Sequence, residues 1–273
     1  MIYKFGEKHV IFTKRVFKKF ELYKQMGKNQ HESGGILLGK VYKDVIVVDM
    51  ISEPSTDDKS GRYYFERHVP KAQDIIKMAW KESNGERIYL GEWHTHPEQT
   101  PTPSSDDKKL IHNMLNDTLM EIDFLIMIII GIKNNYVGVK KKGQKRMESL
   151  KKMDATEGLE LSFYENQQGK LFGFKAVGYL NLASFGYDIY NAAFSQVFLG
   201  TINSILSLTN ISEYSLEETN AFIRFVIPYL KDDYDEKVFL LFDSMFLQIQ
   251  MVLEEMKVKE IENKVSINIV KIN

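Results

Sequence analysis

Gly91-Glu92-Trp93-His94-Thr95-His96-Pro97, running on to Thr102-Pro103-Ser104-Ser105-Asp106-Asp107, is the stretch on which the reading of this chain turns. Ile88 to Trp93 has the apolar, aromatic character of a strand that delivers the histidines at its end. Side chains alternate along a strand, so His94 and His96 point to the same side and can meet one ion. Pro97 stiffens the exit and blocks a helical turn there. Ser104 or Ser105 reads as a helix N-cap, with Asp106 and Asp107 in the first turn of a helix reaching about Asn116. A carboxylate in that turn can swing back as a third ligand. Three protein ligands and one open position make the catalytic zinc arrangement. A carboxylate that does not bind the metal must then take the proton of the attacking water. The hydroxyl of Ser104 suits donation to the oxyanion that develops on the attacked carbonyl. Alternation alone can produce a His-x-His in a strand. The weight lies in two His, a Pro, a Ser and an Asp meeting at one strand-to-helix junction.

Outward from that junction the chain reads as α/β. Thr13 to Met26 has near-helical apolar spacing and is followed by Gly27. Ile36 to Gly39 and Val45 to Met50 are β-branched runs and are expected as strands. Glu53 to His68 is polar and reads as a long surface loop, with an edge strand at Arg62 to Phe65. Pro70 suits the first turn of a helix through Trp80. Ile122 to Ile132, apolar from Phe124 onward, reads as a central strand buried on both faces, and Val137 to Lys140 reads as another strand.

After that the composition shifts. Lys140, Lys141, Lys142, Lys145, Arg146, Lys151 and Lys152 crowd a stretch of little apolar content, read as a solvated edge and linker. The expected division is residues 1–145, a basic linker at 146–157, and a second domain at 158–273. The second half reads as a hairpin (Leu159 to Tyr164, Leu171 to Val177) and a long helix (Ile189 to Leu208). A second hairpin (Glu213 to Ile227), a second long helix (Asp232 to Met256) and a closing strand (Val265 to Ile272) follow.

Composition excludes several classes of function. Of 273 residues, 36 are Lys or Arg and 37 are Asp or Glu, so the near-zero net charge of −1 gives no electrostatic case for nucleic acid or an anionic membrane. There is no cysteine, which removes disulfides, thiolate ligands and Cys nucleophiles at once. The N-terminal residues have no apolar signal core. The longest apolar run, Phe124 to Ile132, is about half of the roughly 20 residues a membrane span needs. A cytoplasmic protein is expected.

His94-x-His96, seven residues, Ser104, two residues and Asp107 together resemble the signature of the JAMM (JAB/MPN) zinc metallopeptidases. The resemblance covers roughly residues 1–145 and implies a mixed sheet flanked by helices. It implies Zn2+ held by His94, His96 and Asp107, and selects Asp107 over Asp106. The family's upstream catalytic glutamate is matched by Glu32 in Glu32-Ser33-Gly34-Gly35, where the glycines would let the backbone pass close to the site. Gly91 to Glu98 and Glu32 to Gly35 are similar to the bacterial JAB deconjugases of ubiquitin-like systems, including those of CBASS anti-phage operons. That resemblance implies hydrolysis of a peptide or isopeptide bond beside a ubiquitin-like tail, on a modified protein substrate.

In the second half, Phe174 to Tyr179 and Gly186 to Ser195 resemble the ribosomal-processing cysteine protease Prp. That family's catalytic His and Cys fall at positions that here are Tyr179 and Asn191. The resemblance implies a catalytically dead copy kept to recruit a substrate or to form a homodimer. The alternative for the whole chain is a non-catalytic scaffold. A zinc deaminase is excluded, because its signature needs a Pro-Cys-x-x-Cys ligand pair and the chain has no cysteine.

Overall fold

The computed structural model describes residues 1–273 except 118–119, 154–157, 184–185, 220, 229–235 and 273. It divides into two compact α/β units, Met1–Lys152 and Met153–Asn273.

The first unit opens with strands β1 (Ile2–Phe5) and β2 (Lys8–Phe12), then helix α1 (Lys14–Tyr23), β3 (Gly34–Val41) and β4 (Val45–Ile51). Two short strands, β5 (Lys59–Gly61) and β6 (Tyr64–Glu66), pair with each other inside the polar stretch read as a loop. Helix α2 (Val69–Glu82), β7 (Ile88–Thr95), α3 (Ser105–Asp117), β8 (Phe124–Ile130) and β9 (Asn135–Lys141) follow. Thr13 caps α1 by accepting the Val16 amide, and Pro70 lies in the first turn of α2, where its missing N–H costs nothing.

The strand order around the main sheet is β9-β8-β7-β3-β4-β2-β1. The β7–β8 and β2–β4 pairs are parallel and the rest antiparallel. Strand β8 shows why a continuous apolar run was needed. Its Phe124, Ile126, Ile128 and Ile130 join the core that also takes in Val16 and Phe20 of α1. Its Leu125, Met127 and Ile129 pack on the opposite face against Ile111 and Leu115 of α3. Helix α2 packs Ala72 and Ala79 on Ile36 and Leu38 of β3.

The basic segment expected as a linker is in part a piece of this sheet. Strand β10 (Glu148–Ser149) pairs with β9, and β11 (Lys151–Lys152) pairs with β1 at the other end of the strand order. Only Leu150 separates them, and it is buried in the same core as Tyr3, Phe5 and Val139. The segment therefore bridges the first and last strands of the curled sheet. Its lysines face out while its backbone and one leucine do the joining. The first unit runs to Lys152, not 145.

The second unit contains β12 (Gly158–Glu165), β13 (Leu171–Tyr179), α4 (Ile189–Leu208), β14 (Ser215–Thr219), β15 (Phe222–Val226), α5 (Glu236–Val258) and β16 (Val265–Lys271). Its sheet order is β14-β15-β13-β12-β16, with β12–β16 the parallel pair. Phe163, Phe174 and Phe225 of the sheet pack on Phe194 and Phe198 of α4 and Phe242 and Met245 of α5. Residues 232–235, at the expected start of the second long helix, lie outside the described residues. No described helix is long and apolar enough to cross a membrane.

Candidate metal and catalytic centre

Strand β7 sets the site. It is flanked by β3 and β8, and its pairing continues one residue past its formal end, where the His96 amide donates to the Ile130 carbonyl at 3.0 Å. Alternation sends Trp93 and Thr95 into the interior, where Trp93 meets Phe20 and Tyr23 of α1 and its indole N–H donates to Ser52 O at 3.0 Å. Glu92, His94 and His96 take the other face. The two imidazoles meet with Nε2 atoms 3.1 Å apart.

Helix α3 brings the carboxylate. Asp107 Oδ1 lies 3.2 Å from His94 Nε2, and its Oδ2 lies 3.8 Å from His96 Nε2. Asp106 is exposed and makes no such approach. Ser104 and Asp107 form a reciprocal cap on α3. The Ser104 amide donates to Asp107 Oδ2 (2.7 Å) and the Asp107 amide donates to Ser104 Oγ (3.1 Å).

Glu32 arrives from β3. The register pairs Gly34 with His94, and the Thr95 amide donates to Ser33 O at 2.9 Å. Two residues upstream, Glu32 comes opposite His96, with Oε1 3.9 Å from its Nε2. Glu32 is buried. Its amide donates to Gly61 O at 2.7 Å, which ties it to β5. The two glycines after it lie against neighbouring backbone and side chains. A Cβ on Gly34 would lie 2.8 Å from Trp93 O, and one on Gly35 would lie 2.8 Å from Ser52 O and 2.9 Å from Trp93 Nε1. What they permit is the close packing of β3 between its neighbours.

Electrostatics divide the carboxylates. Burial pushes the Glu32 carboxyl up to about 7, with Asp107 and Glu98 adding to the rise and His94 opposing it. Burial would also raise Asp107, but His94 and the two bonds from Ser104 outweigh it and hold that carboxyl well below its usual range. His96 is pushed down by burial and by His94 beside it, which keeps its ring nitrogen available as a lone pair. One carboxylate is thus held ionised and the other poised to exchange a proton.

Two histidine nitrogens and one carboxylate oxygen lie within 4.8 Å of one another. The edge of a tetrahedron with bonds of about 2.0–2.1 Å is about 3.3 Å, close to the 3.1 and 3.2 Å separations at His94. The three donors could hold one metal ion, with Glu32 beside the group rather than in it.

Several residues that spacing did not single out support this arrangement. Gln25, buried just beyond α1, accepts from Thr95 Oγ1 at 3.1 Å and donates to the carbonyls of Gln30 and Arg62, each at 3.1 Å. Thr95 Oγ1 in turn accepts the Ser33 amide at 3.0 Å. Arg67 grips both oxygens of buried Glu92 at 3.1 Å, and Tyr89 donates to the same carboxylate at 2.6 Å. Both networks tie the segment 53–68 to the strands of the site. His31 lies outside the cluster, exposed and 3.4 Å from Ser60 Oγ, and His112 faces Asn116. In the second unit, Tyr179 and Asn191 line one cavity of about 250 Å³ with Gly178, Phe194, Ser195 and Glu218.

A family described as prokaryotic homologs of the JAB domain matches residues 18–144. A CD-NTase/cGAS isopeptidase of Escherichia coli (strain TW11681) is 35% identical over 147 residues, 54% of this chain and 90% of that protein. One from Vibrio cholerae is 33% identical over 134 residues, 49% of this chain and 83% of that protein. A crystal structure of the ribosomal processing protease Prp from S. aureus, with a covalently linked product peptide, matches 41% of this chain and 99% of its own. Its identity is 20% and its TM-score 0.36. The first unit carries the site and the matched residues together, and the chain belongs to the prokaryotic JAB-domain family.

Proposed function

We propose that this chain is a zinc-dependent isopeptidase that releases a ubiquitin-like modifier from a conjugated protein. The observation that carries the proposal is the convergence of His94, His96 and Asp107 on one point, with buried Glu32 3.9 Å from His96. The relatives named as CD-NTase/cGAS isopeptidases support an isopeptide between two proteins as the scissile bond. They also favour a nucleotidyltransferase of that class as the modified protein.

His94, His96 and Asp107 would hold the zinc, which supplies Lewis acidity and brings the pKa of a bound water to about 7. Glu32 takes a proton from the attacking water. Its carboxyl, raised to about 7 by burial, can release that proton again at neutral pH, to the departing lysine nitrogen. Ser104, beside Asp107 at the start of α3, donates its O–H to the carbonyl oxygen as negative charge builds there. Asp107 is held ionised by His94 and Ser104 throughout. The networks through Gln25 and Arg67 keep Glu32 and β7 in register.

The second unit is proposed to bind rather than to catalyse. Its cavity presents Tyr179 and Asn191, and the chain has no thiol.

The test is cleavage of an isopeptide-linked conjugate by the zinc-loaded chain beside Glu32→Gln, with metal content measured on both. Cleavage by the wild type and none by a variant that keeps about one zinc per chain supports the proposal. Equal rates would remove Glu32 from the mechanism, and a wild type that binds no offered zinc would remove the metal.

A further inference from the structure

Helix α5 buries Val238, Phe242, Met245, Ile249 and Met256 in the core of its unit. Its outward side is also apolar. Leu240, Leu247, Met251 and Val258 are 67, 61, 72 and 84% exposed. With Ser244 and Glu254, both exposed, they follow one another at intervals of four, three, four, three and four residues. That alternation is the seam of a coiled coil. A solvent-facing row on a globular helix is normally polar. On α4, which packs beside α5, exposed Ser195, Gln196, Asn203 and Ser207 interrupt the apolar side chains.

The row carries flanking charges that name its occupant. Its intervals read the same from either end, about a centre midway between Leu247 and Met251. An identical helix laid antiparallel would set Leu247 against Met251 twice, Leu240 against Val258 twice, and Ser244 against Glu254. The flanking positions Asp243, Gln250 and Lys257 are exposed. In the antiparallel register Asp243 of each copy faces Lys257 of the other, and Gln250 faces itself across the two-fold axis. A parallel pair would set Glu254 on Glu254 in the seam and Asp243 beside Gln248, which brings like charges together and leaves Asp243 and Lys257 without each other.

We propose that α5 is the contact surface of a homodimer in which a second copy of this chain lies antiparallel along the Leu240–Val258 row. The interface is isologous, as a two-fold dimer requires. One helix pair falls at the small end of stable interfaces, below about 1,200 Å², so association belongs in the micromolar range.

The test is the mass of the full chain by sedimentation equilibrium from about 1 to about 100 µM. A shift from one chain to two across that range is expected. Asp243→Lys and Lys257→Asp should each weaken the dimer about tenfold, and the two together should restore it. All these side chains are exposed, so the circular dichroism and melting of the variants should match the wild type. The absence of cysteine allows a register test. Leu247→Cys mixed with Met251→Cys should form a disulfide that neither variant forms alone. A single mass at every concentration overturns the proposal, whether or not the row then binds lipid vesicles or an unrelated protein. So does a dimer indifferent to both charge reversals, or one in which each cysteine variant cross-links to itself.

Discussion

Ser104 and Asp107 hold each other in place: each donates its amide to the other's side-chain oxygen, at 2.7 and 3.1 Å. Ser104→Ala removes the cap but leaves the Ser104 amide on Asp107, so zinc is expected to stay bound. Stability should fall by about 1 kcal/mol. The oxyanion role predicts a separate loss of about 100-fold in kcat with little change in KM. A variant that melts earlier but turns over normally would reduce Ser104 to a helix cap.

Glu32 predicts a pH signature in the metal-free protein. Its carboxyl is raised by burial from the ordinary 4.5 to about 7 in the folded state. Between those values the folded chain holds a proton that the unfolded chain has released, so stability falls as pH rises from about 4.5 to about 7. Glu32→Gln lacks this term. In chelator, its melting temperature should exceed that of the wild type by a few degrees at pH 8 and converge with it near pH 4. Parallel curves at all pH values would contradict the assigned burial.

Gln25 ties Gln30, Arg62 and Thr95 together through one side chain. Gln25→Ala leaves those partners without it and should cost about 1–3 kcal/mol. Because the network fixes the segment carrying Glu32, a kcat loss of about tenfold with full zinc occupancy is expected. Unchanged kcat in the folded variant would show that Glu32 is positioned without it.

Arg67 shares its Nε–H between the two carboxylate oxygens of Glu92. Arg67→Ala leaves the buried Glu92 carboxylate without its cation and with only the Tyr89 hydroxyl, at a cost of about 3 kcal/mol in urea unfolding. Adding Glu92→Gln should recover more than half of that loss, since the stranded charge is gone. Additive losses in the double-mutant cycle would mean that the two residues act independently.

The readable parts of the sequence are those where one element settles its own pattern. Strand β8 is unbroken apolar because two layers cover it, and α4 has the bounds its apolar spacing sets. His94 and His96 announce themselves by spacing, but Asp107 was separated from Asp106 only by resemblance to a family. Strands β1 and β2 went unread because each is four or five residues long, joined at a tight turn through Gly6. Gln25 gave no signal at all. A neutral amide has no periodicity, and its hydroxyl partner lies 70 residues away. Strands β10 and β11 hide among lysines because their role is carried by backbone groups, which look alike in every residue.

The segment Glu148–Lys152 also decides where the first unit can be cut. A fragment ending at residue 145 would strip the outer pairing from both β9 and β1 and leave two rows of bare amides and carbonyls. Such rows template the addition of strands from other molecules. Truncation there should yield a protein that precipitates with its histidines still correctly placed, whereas one ending after Lys152 keeps the seam shut and stays dispersed.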